Sequence, residues 1–248
     1  MSFDSFLKET FLDESINDKG ILKAVFILGI PGSGKSYTVS QLKGSISPRI
    51  VNTDIMLEYL SHKKGIEANS KTWKEVFRDD TKRITSTMLY NYINGMLPLF
   101  VDGTSNDASN ILNRVGILES LGYDVGCIFI HTDLDVAKKR AVDRAAKIGR
   151  SVDESFIEKV YKESEANKKY FESKFGYFKI YNNNGNDLDN SVMNKLFASV
   201  QEFYDADVIN PVGKRIIEKL TDNTEKYIVP SIYEDAVLKN KLKAWYKT

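Results

Sequence analysis

The run GIPGSGKS, from Gly29 to Ser36, is the part of this sequence with the clearest chemistry. Its spacing fits the pattern G-x-x-x-x-G-K-[ST] at every fixed position, and that pattern binds phosphates through backbone N–H groups. Lys35 would reach the β- and γ-phosphates, and the hydroxyl of Ser36 would hold Mg²⁺. The run therefore predicts a nucleoside triphosphate site formed by Gly29, Pro31, Gly32, Ser33, Gly34, Lys35 and Ser36.

Two carboxylates follow apolar runs and are expected at strand ends beside this loop. Asp54 closes RIVNTD, and Asp102 closes LPLFVD. Phosphoryl transfer to a hydroxyl needs one group that takes the proton and another that orients Mg²⁺. Asp54 precedes the segment expected to bind the acceptor, so we assign it as the general base, and Asp102 as the Mg²⁺ residue. The reverse assignment and simple helix capping by either residue stay open.

Arginines are the third group of interest, because charge on a transferred phosphoryl group needs fixed donors. The segment LDVAKKRAVDRAAKIGRSVDES contains Arg140, Arg144 and Arg150. A glycine before Arg150 could act as a hinge, so the segment is typical of a closing lid. We favour a catalytic role for Arg144 and Arg150, and an ordinary solvated position for Arg140.

Two further polar stretches follow predicted strands, and each permits two interpretations. Thr104, Ser105 and Asn106 could hydrogen-bond the acceptor or simply form a turn. The run Asn182–Asn184 could contact the adenine edge or form a polar loop. Neither alternative is decided by the sequence.

Five short apolar runs alternate with helical segments. The predicted strands are Lys23–Leu28, Arg49–Asn52, Leu97–Asp102, Asp124–His131 and Tyr177–Tyr181. Such alternation predicts an α/β fold with a parallel five-stranded sheet and helices on both faces. The spacing S-x-x-E at Ser151 and Glu154 also predicts a capping box that opens a long amphipathic helix.

The predicted organisation is a domain over residues 1–205 and a helical appendage over residues 206–248. Within the domain, residues 55–96 form an insert expected to bind the acceptor or only to cover the sheet, and residues 138–155 form the lid. A helix is also expected near residues 5–12. The appendage could bind substrate, mediate oligomerisation or be a packed helix pair, and Trp245 and Tyr246 could add a stacking surface.

Composition argues for an ordinary globular protein. The chain has 248 residues, 42% hydrophobic and 28% charged, with a formal net charge of +1. That charge gives no overall electrostatic attraction to nucleic acid. One cysteine cannot form an internal disulfide, and the N-terminal sequence lacks the features of a signal peptide, so a cytoplasmic location is expected.

The pattern from about Val25 to Asn183 resembles the P-loop kinases related to phage polynucleotide kinase and the zeta-toxin group. The resemblance is carried by GIPGSGKS, VNTD, VDGTSN and the R-x₅-R lid segment. It implies a nucleoside-monophosphate-kinase-like core, ATP and Mg²⁺, with Asp54 as base. It departs at Leu57, where polynucleotide kinases of this type carry an arginine for the acceptor phosphate.

The expected function is transfer of the γ-phosphate of ATP to a hydroxyl of a nucleic acid, nucleotide or nucleotide-sugar acceptor. The alternative is a nucleotide-dependent ATPase switch that acts on a macromolecular partner. The long insert after Asp54 suits an acceptor site better than a switch loop. The two functions differ in whether turnover of ATP requires a hydroxyl acceptor.

Overall fold

The computed structural model describes residues 19–42, 47–65, 71–148, 152–185, 190–222 and 235–245. Its five strands form one parallel sheet in the order β2-β3-β1-β4-β5. The strands are β1 (Lys23–Gly29), β2 (Arg49–Val51), β3 (Leu99–Gly103), β4 (Asp124–His131) and β5 (Tyr177–Asn182). All five predicted strands are confirmed, each within two residues at either end.

Helices connect the strands and continue beyond the last one. Their bounds, with the labels used below, are α1 (Lys35–Leu42), α2 (Thr53–Lys64), α3 (Lys71–Asn94), α4 (Ala108–Ser120), α5 (Leu134–Ile148), α6 (Glu154–Lys174), α7 (Asn190–Asp205), α8 (Pro211–Asp222) and α9 (Asp235–Trp245). None of these helices in the described ranges combines the length and the apolar character that a membrane span requires. The helix expected near residues 5–12 lies outside the described residues.

Both faces of the sheet are covered, and β1 is buried along its whole length. Side chains alternate across a strand, so Phe26 and Leu28 face one layer while Val25 and Ile27 face the other. The first layer contains α3, α4, α6 and α9, and the second contains α1 and α7. The predicted α/β architecture is therefore present, and α1 lies on the opposite face from α4 and α9.

The register of the sheet brings the functional strand ends together. Ile27 of β1 pairs with Asp102 of β3, and Val51 of β2 pairs with Val101. Because the strands are parallel, their carboxyl ends share one edge, where ligands collect in open α/β sheets. The loop after β1 thus lies beside Asp102.

A buried ion pair ties the chain after α7 to the sheet. Lys23 Nζ lies 2.7 Å from Asp124 Oδ2, with 3% and 7% of the two side chains exposed. Asp124 also accepts hydrogen bonds from the backbone N–H groups of Ile209 (2.9 Å) and Asn210 (2.7 Å). The Asp124 carboxylate thus accepts from three donors, the Lys23 ammonium and two backbone N–H groups.

Replacing Asp124 by alanine is expected to lower the free energy of unfolding by about 3–5 kcal/mol, because Lys23 would stay buried without its counter-charge. The matched control is Asp205→Ala, which removes the pair with Lys19, a side chain that is 64% exposed. That change should cost about 1 kcal/mol or less. Urea unfolding measures both, and equal losses would contradict the prediction.

Candidate active site

The loop between β1 and α1 is shaped by two glycines with left-handed backbone angles. Gly32 has φ +82° and Gly34 has φ +87°. A Cβ on Gly32 would overlap the carbonyl oxygen of Ala137, and one on Gly34 would overlap the side-chain nitrogen of Asn183. Both the backbone angles and the space therefore require glycine at these positions.

The side chain of Lys35 is fixed over the loop by hydrogen bonds to backbone carbonyl groups at the start of the loop. Its Nζ donates to the carbonyl oxygens of Gly29 (2.9 Å) and Ile30 (3.1 Å). Pro31, Gly32, Gly34, Lys35 and Ser36 line one cavity. Ser33 is instead buried, with its side chain turned away from solvent. The structure thus places five of the seven predicted phosphate-binding residues at one surface, and the backbone carbonyl of Ser33 accepts hydrogen bonds that hold the loop.

Asn183 supports the loop from the end of β5. Its Nδ2 donates to the carbonyl oxygen of Ser33 (2.7 Å), which Thr132 Oγ1 also approaches at 3.2 Å. Asn183 is buried, with 7% of its surface exposed. The sequence had left adenine contact and a polar loop as alternatives for Asn182–Asn184. The structure adds a third role for Asn183, which is to fix the phosphate loop.

Replacing Asn183 by alanine is expected to raise the Kd for ATP about tenfold, since a buried carbonyl loses its donor and the loop loses its support. Asn184→Ala is the matched control. Asn184 accepts a hydrogen bond from the backbone N–H of Asp133 (2.7 Å), and within the described part of the chain it makes no hydrogen bond to the loop. Titration with a fluorescent ATP analogue measures both variants. An unchanged Kd for Asn183→Ala would be evidence against this support.

Asn52 connects the two predicted acidic residues. Its Nδ2 donates to Asp102 Oδ2 (2.6 Å), and its Oδ1 accepts from the backbone N–H of Asp54 (2.7 Å). The expectation that Asp54 ends a strand is wrong, because β2 ends at Val51 and Asp54 lies in the first turn of α2. The side chain of Asn52 starts that helix, and it fixes the backbone of Asp54 relative to the end of β3.

The loop and the two acids share one cavity of about 1070 Å³. A volume near the upper end of the range for small-molecule sites leaves room for more than a triphosphate alone. The loop and α1 form one wall, while the other elements contribute Asp54 and Glu58 from α2, Lys82 and Thr85 from α3, Asn110, Ile111 and Arg114 from α4, and Arg144 from α5.

The predicted lid arginines are only partly described. Arg144 lines the cavity from α5, as does Arg140 one turn earlier. The guanidinium of Arg140 donates to the carbonyl oxygens of Asn183 (2.8 Å) and Gly185 (2.7 Å). Arg140 is therefore not an ordinary solvated side chain, since it holds the chain after β5. Arg150 lies outside the described residues, so its role stays a prediction.

The base of the lid segment is held by α6. Lys138 Nζ lies 2.5 Å from Glu158 Oε1, and this hydrogen bond raises the pKa of Lys138 and lowers that of Glu158. The expected capping box at Ser151 is wrong. Asp153 is the N-cap of α6, and its side chain accepts from the backbone N–H of Ser155 (2.8 Å).

The polar stretch after β3 divides between the cavity and the fold. Thr104 lines the cavity. Ser105 is buried and its Oγ lies 2.5 Å from Ser164 Oγ, while Asn167 Nδ2 donates to the carbonyl oxygen of Asn106 (2.9 Å). Ser105 and Asn106 thus fasten α6 to the edge of the sheet. Of the three residues in this stretch, only Thr104 lines the cavity.

Among the residues of the cavity wall that the sequence analysis did not single out are Lys82, Asn110 and Arg114. These three lie on helices whose cavity face is set by packing. The stacking surface considered for Trp245 and Tyr246 is not present at Trp245, which is 1% exposed, and Tyr246 lies outside the described residues. The helical spacing of Asn110 and Arg114, four residues apart after VDGTSN, was the available signal.

The sheet order, the glycine loop after the central strand and the helices on both faces define an α/β P-loop NTPase fold of the kinase class. The chain belongs to the zeta toxin family, because the family model described as Zeta toxin matches residues 10–192. This finding confirms the resemblance stated from the sequence. It also supports a phosphotransferase activity.

Two solved structures with TM-scores above 0.5 share the fold. A chain from the PezAT chromosomal toxin–antitoxin system of Streptococcus pneumoniae has 15% identity and a TM-score of 0.54, over 89% of this chain and 95% of that one. A protein of Chloroflexus aurantiacus J-10-fl assigned as a kinase has 15% identity and a TM-score of 0.52, over 73% and 98%. A chain of the Pnkp1/Rnl/Hen1 RNA repair complex has 19% identity and a TM-score of 0.48, over 64% and 49%.

Proposed function

We propose that this P-loop kinase transfers the γ-phosphate of ATP to a hydroxyl of a nucleic acid, nucleotide or nucleotide-sugar acceptor, with Asp54 as the general base. The observation that carries the proposal is the bridge by Asn52, which holds Asp54 and Asp102 at one edge of the cavity. Transfer to a hydroxyl needs one group that takes the proton and another that orients Mg²⁺ near the phosphates, and these two acids are available for those roles.

The donor side fits a triphosphate. The left-handed glycines turn backbone N–H groups inward, and the N-terminus of α1 adds positive potential at the same point. Lys35 is held above the loop by two carbonyl oxygens. Arg144 lines the cavity from the side of the lid. These groups would bind the phosphates of ATP and stabilise charge on the transferred group.

The residues present also fit Mg²⁺. The Ser36 hydroxyl and the Asp102 carboxylate both line the cavity, and hard oxygen donors of this kind suit that ion when phosphates complete its coordination. Among the described residues no group of three or more His, Cys, Asp or Glu side chains could hold a metal by itself. Bound Mg²⁺ would neutralise negative charge on the β- and γ-phosphates.

Asp54 performs the proton transfer in this proposal. The acceptor oxygen forms a bond to the γ-phosphorus while the bond from that phosphorus to the β,γ-bridging oxygen breaks, and ADP leaves. The proton of the hydroxyl passes to the Asp54 carboxylate. Lys35 and Arg144 offset the charge that spreads over the transferred group.

The acceptor wall differs from that implied by polynucleotide kinases. Leu57 is 7% exposed and packs with Phe77 and Leu60, so it takes no part in the cavity. The positively charged side chains that line the cavity from α3 and α4 are instead those of Lys82 and Arg114. A phosphate-bearing acceptor would therefore be held by different residues in this chain.

The test is transfer of radiolabel from γ-labelled ATP to an acceptor panel, with Lys35→Ala as the control. The panel contains 5′-hydroxyl DNA and RNA, hydroxymethylpyrimidine DNA, nucleosides and UDP-N-acetylglucosamine. We expect label on one acceptor class, and labelling about 10²–10³-fold slower with the variant. Release of free phosphate with no labelled acceptor, or release that requires a protein partner, would contradict the proposal.

A further inference from the structure

The C-terminal helix α9 lies beyond the residues that match the zeta toxin family, which end at 192, yet it reaches the cavity. Leu238, Leu242 and Trp245 are buried in the core layer that contains α3 and α4. Trp245 is 1% exposed and also lines the cavity. This helix therefore contributes to the site as well as to the fold.

Trp245 meets a cation of the cavity wall. The guanidinium carbon of Arg114 lies 5.3 Å from the centre of the Trp245 ring. Tryptophan is the most favourable aromatic partner for such a cation, and the contact leaves the guanidinium charged. Lys241 Nζ lies 2.6 Å from Ser120 Oγ, which fastens α9 along α4. The ring thus restricts where Arg114 can point.

The neighbourhood of Arg114 has the polar groups of a ligand site. Asn110 lies one helical turn earlier on the same wall, and its Oδ1 is buried with no hydrogen-bond partner among the described residues. Lys82 lines the cavity from α3. Of the acids that line the cavity, Asp107 uses its Oδ1 to cap α4, and Glu58 lies on α2.

These cations are separate from those that serve the triphosphate. Helix α1 lies on the sheet face of the second core layer, whereas α3, α4 and α9 lie on the other face. Lys35 and Arg144 already serve the donor phosphates in the proposed function. Lys82 and Arg114 are then placed for an anionic group of a different molecule.

We propose that α9 forms part of the acceptor site: Arg114, with Lys82, binds a phosphate of the acceptor, and Trp245 is the positioning residue that holds Arg114. This inference rests on the proposed function for the identity of the second ligand. It assigns to the appendage a role in choosing acceptors that carry phosphate. It also predicts that the binding of such molecules changes the surroundings of the Trp245 ring.

The first test uses Trp73→Phe, which leaves Trp245 as the single tryptophan of a chain that has two. The donor site is saturated with Mg²⁺ and a non-hydrolysable ATP analogue, and the four nucleoside diphosphates are compared with their nucleosides. At least one diphosphate should change the emission of Trp245 saturably, and its nucleoside should not. Arg114→Gln should raise that Kd at least about tenfold. No response to any diphosphate, or an Arg114→Gln Kd equal to that of the parent, would overturn the proposal.

The second test separates positioning from folding. Calorimetry with the same diphosphate compares Trp245→Leu, Trp245→Phe and Leu242→Ala, all of them changes to buried residues of α9. Trp245→Leu should weaken binding about tenfold and Trp245→Phe about threefold or less, because phenylalanine keeps an aromatic face. Leu242→Ala should lower Tm and leave the Kd unchanged. Equal diphosphate Kd values for Trp245→Leu and Leu242→Ala would show that α9 is only structural.

The results that would refute the role of α9 differ from those that would refute the proposed function. Both tests measure binding without phosphoryl transfer. A protein that phosphorylates a hydroxyl but shows no dependence on Trp245 or Arg114 would refute this inference alone. A protein with the expected binding but no labelled acceptor would refute the proposed reaction alone.

Discussion

Asp54→Asn is expected to lower kcat for phosphoryl transfer by about 10²–10⁴-fold, the usual contribution of a positioned general base. Asparagine has nearly the same shape as aspartate but cannot take a proton from a hydroxyl. The hydrogen bond from the backbone N–H of Asp54 to Asn52 Oδ1 does not involve the side chain that changes. The Kd for ATP should therefore stay within about twofold, well below the tenfold that 1.4 kcal/mol represents.

Single-turnover transfer and equilibrium ATP binding measure the two effects separately. Asp153→Asn is the matched control, because Asp153 also lines the cavity but serves as the N-cap of α6. Its kcat should stay within about threefold, because asparagine caps a helix about as well as aspartate and this side chain serves the fold rather than the reaction. Full turnover by Asp54→Asn would remove Asp54 from the mechanism.

Asp102→Asn distinguishes the two possible assignments of the carboxylates. With Asp102 at the metal, this variant should need a higher Mg²⁺ concentration for half-maximal rate, whereas Asp54→Asn should not. The opposite pattern would exchange the roles of the two residues. Asn52 is hydrogen-bonded to both residues, so their positions alone do not distinguish the two assignments. The Mg²⁺ titration distinguishes them.

The sheet could be predicted because its signals are local. β1 is an apolar run whose every residue is buried, and such a run between turn residues is typical of a strand covered on both faces. The glycine loop follows from the same local pattern. The position of Asp54 was predicted wrongly, because an asparagine such as Asn52 in the run NTD can start a helix. The backbone N–H of Asp54 donates to Asn52 Oδ1, and the helix therefore begins directly after β2.

The contacts that hold the site residues in place could not be predicted, because they join distant parts of the chain. Asn183 holds the carbonyl of Ser33 across 150 positions of sequence. Arg114 and Trp245 meet only because α9 packs against α4. A sequence shows which residue types could bind phosphate, but it does not show which helix faces meet at one edge of a sheet.

Lys35→Ala is expected to lower kcat by about 10²–10³-fold, the range seen when one preorganised donor to a developing charge is removed. The ammonium is preorganised here by its bonds to the carbonyl oxygens of Gly29 and Ile30, 2.9 and 3.1 Å away. The free protein therefore holds this charge over the loop before ATP binds.

Lys35→Arg tests whether charge alone is enough. A guanidinium is planar and wider than an ammonium, so it cannot donate to both carbonyl oxygens from the position of Nζ. We expect Lys35→Arg to retain less than about a tenth of the parent kcat, although its charge is unchanged. Thermal melting of both variants checks that the fold is intact. Near-parental transfer by Lys35→Arg would show that the loop needs only a positive charge, and that the two carbonyl contacts do not position Lys35 for catalysis.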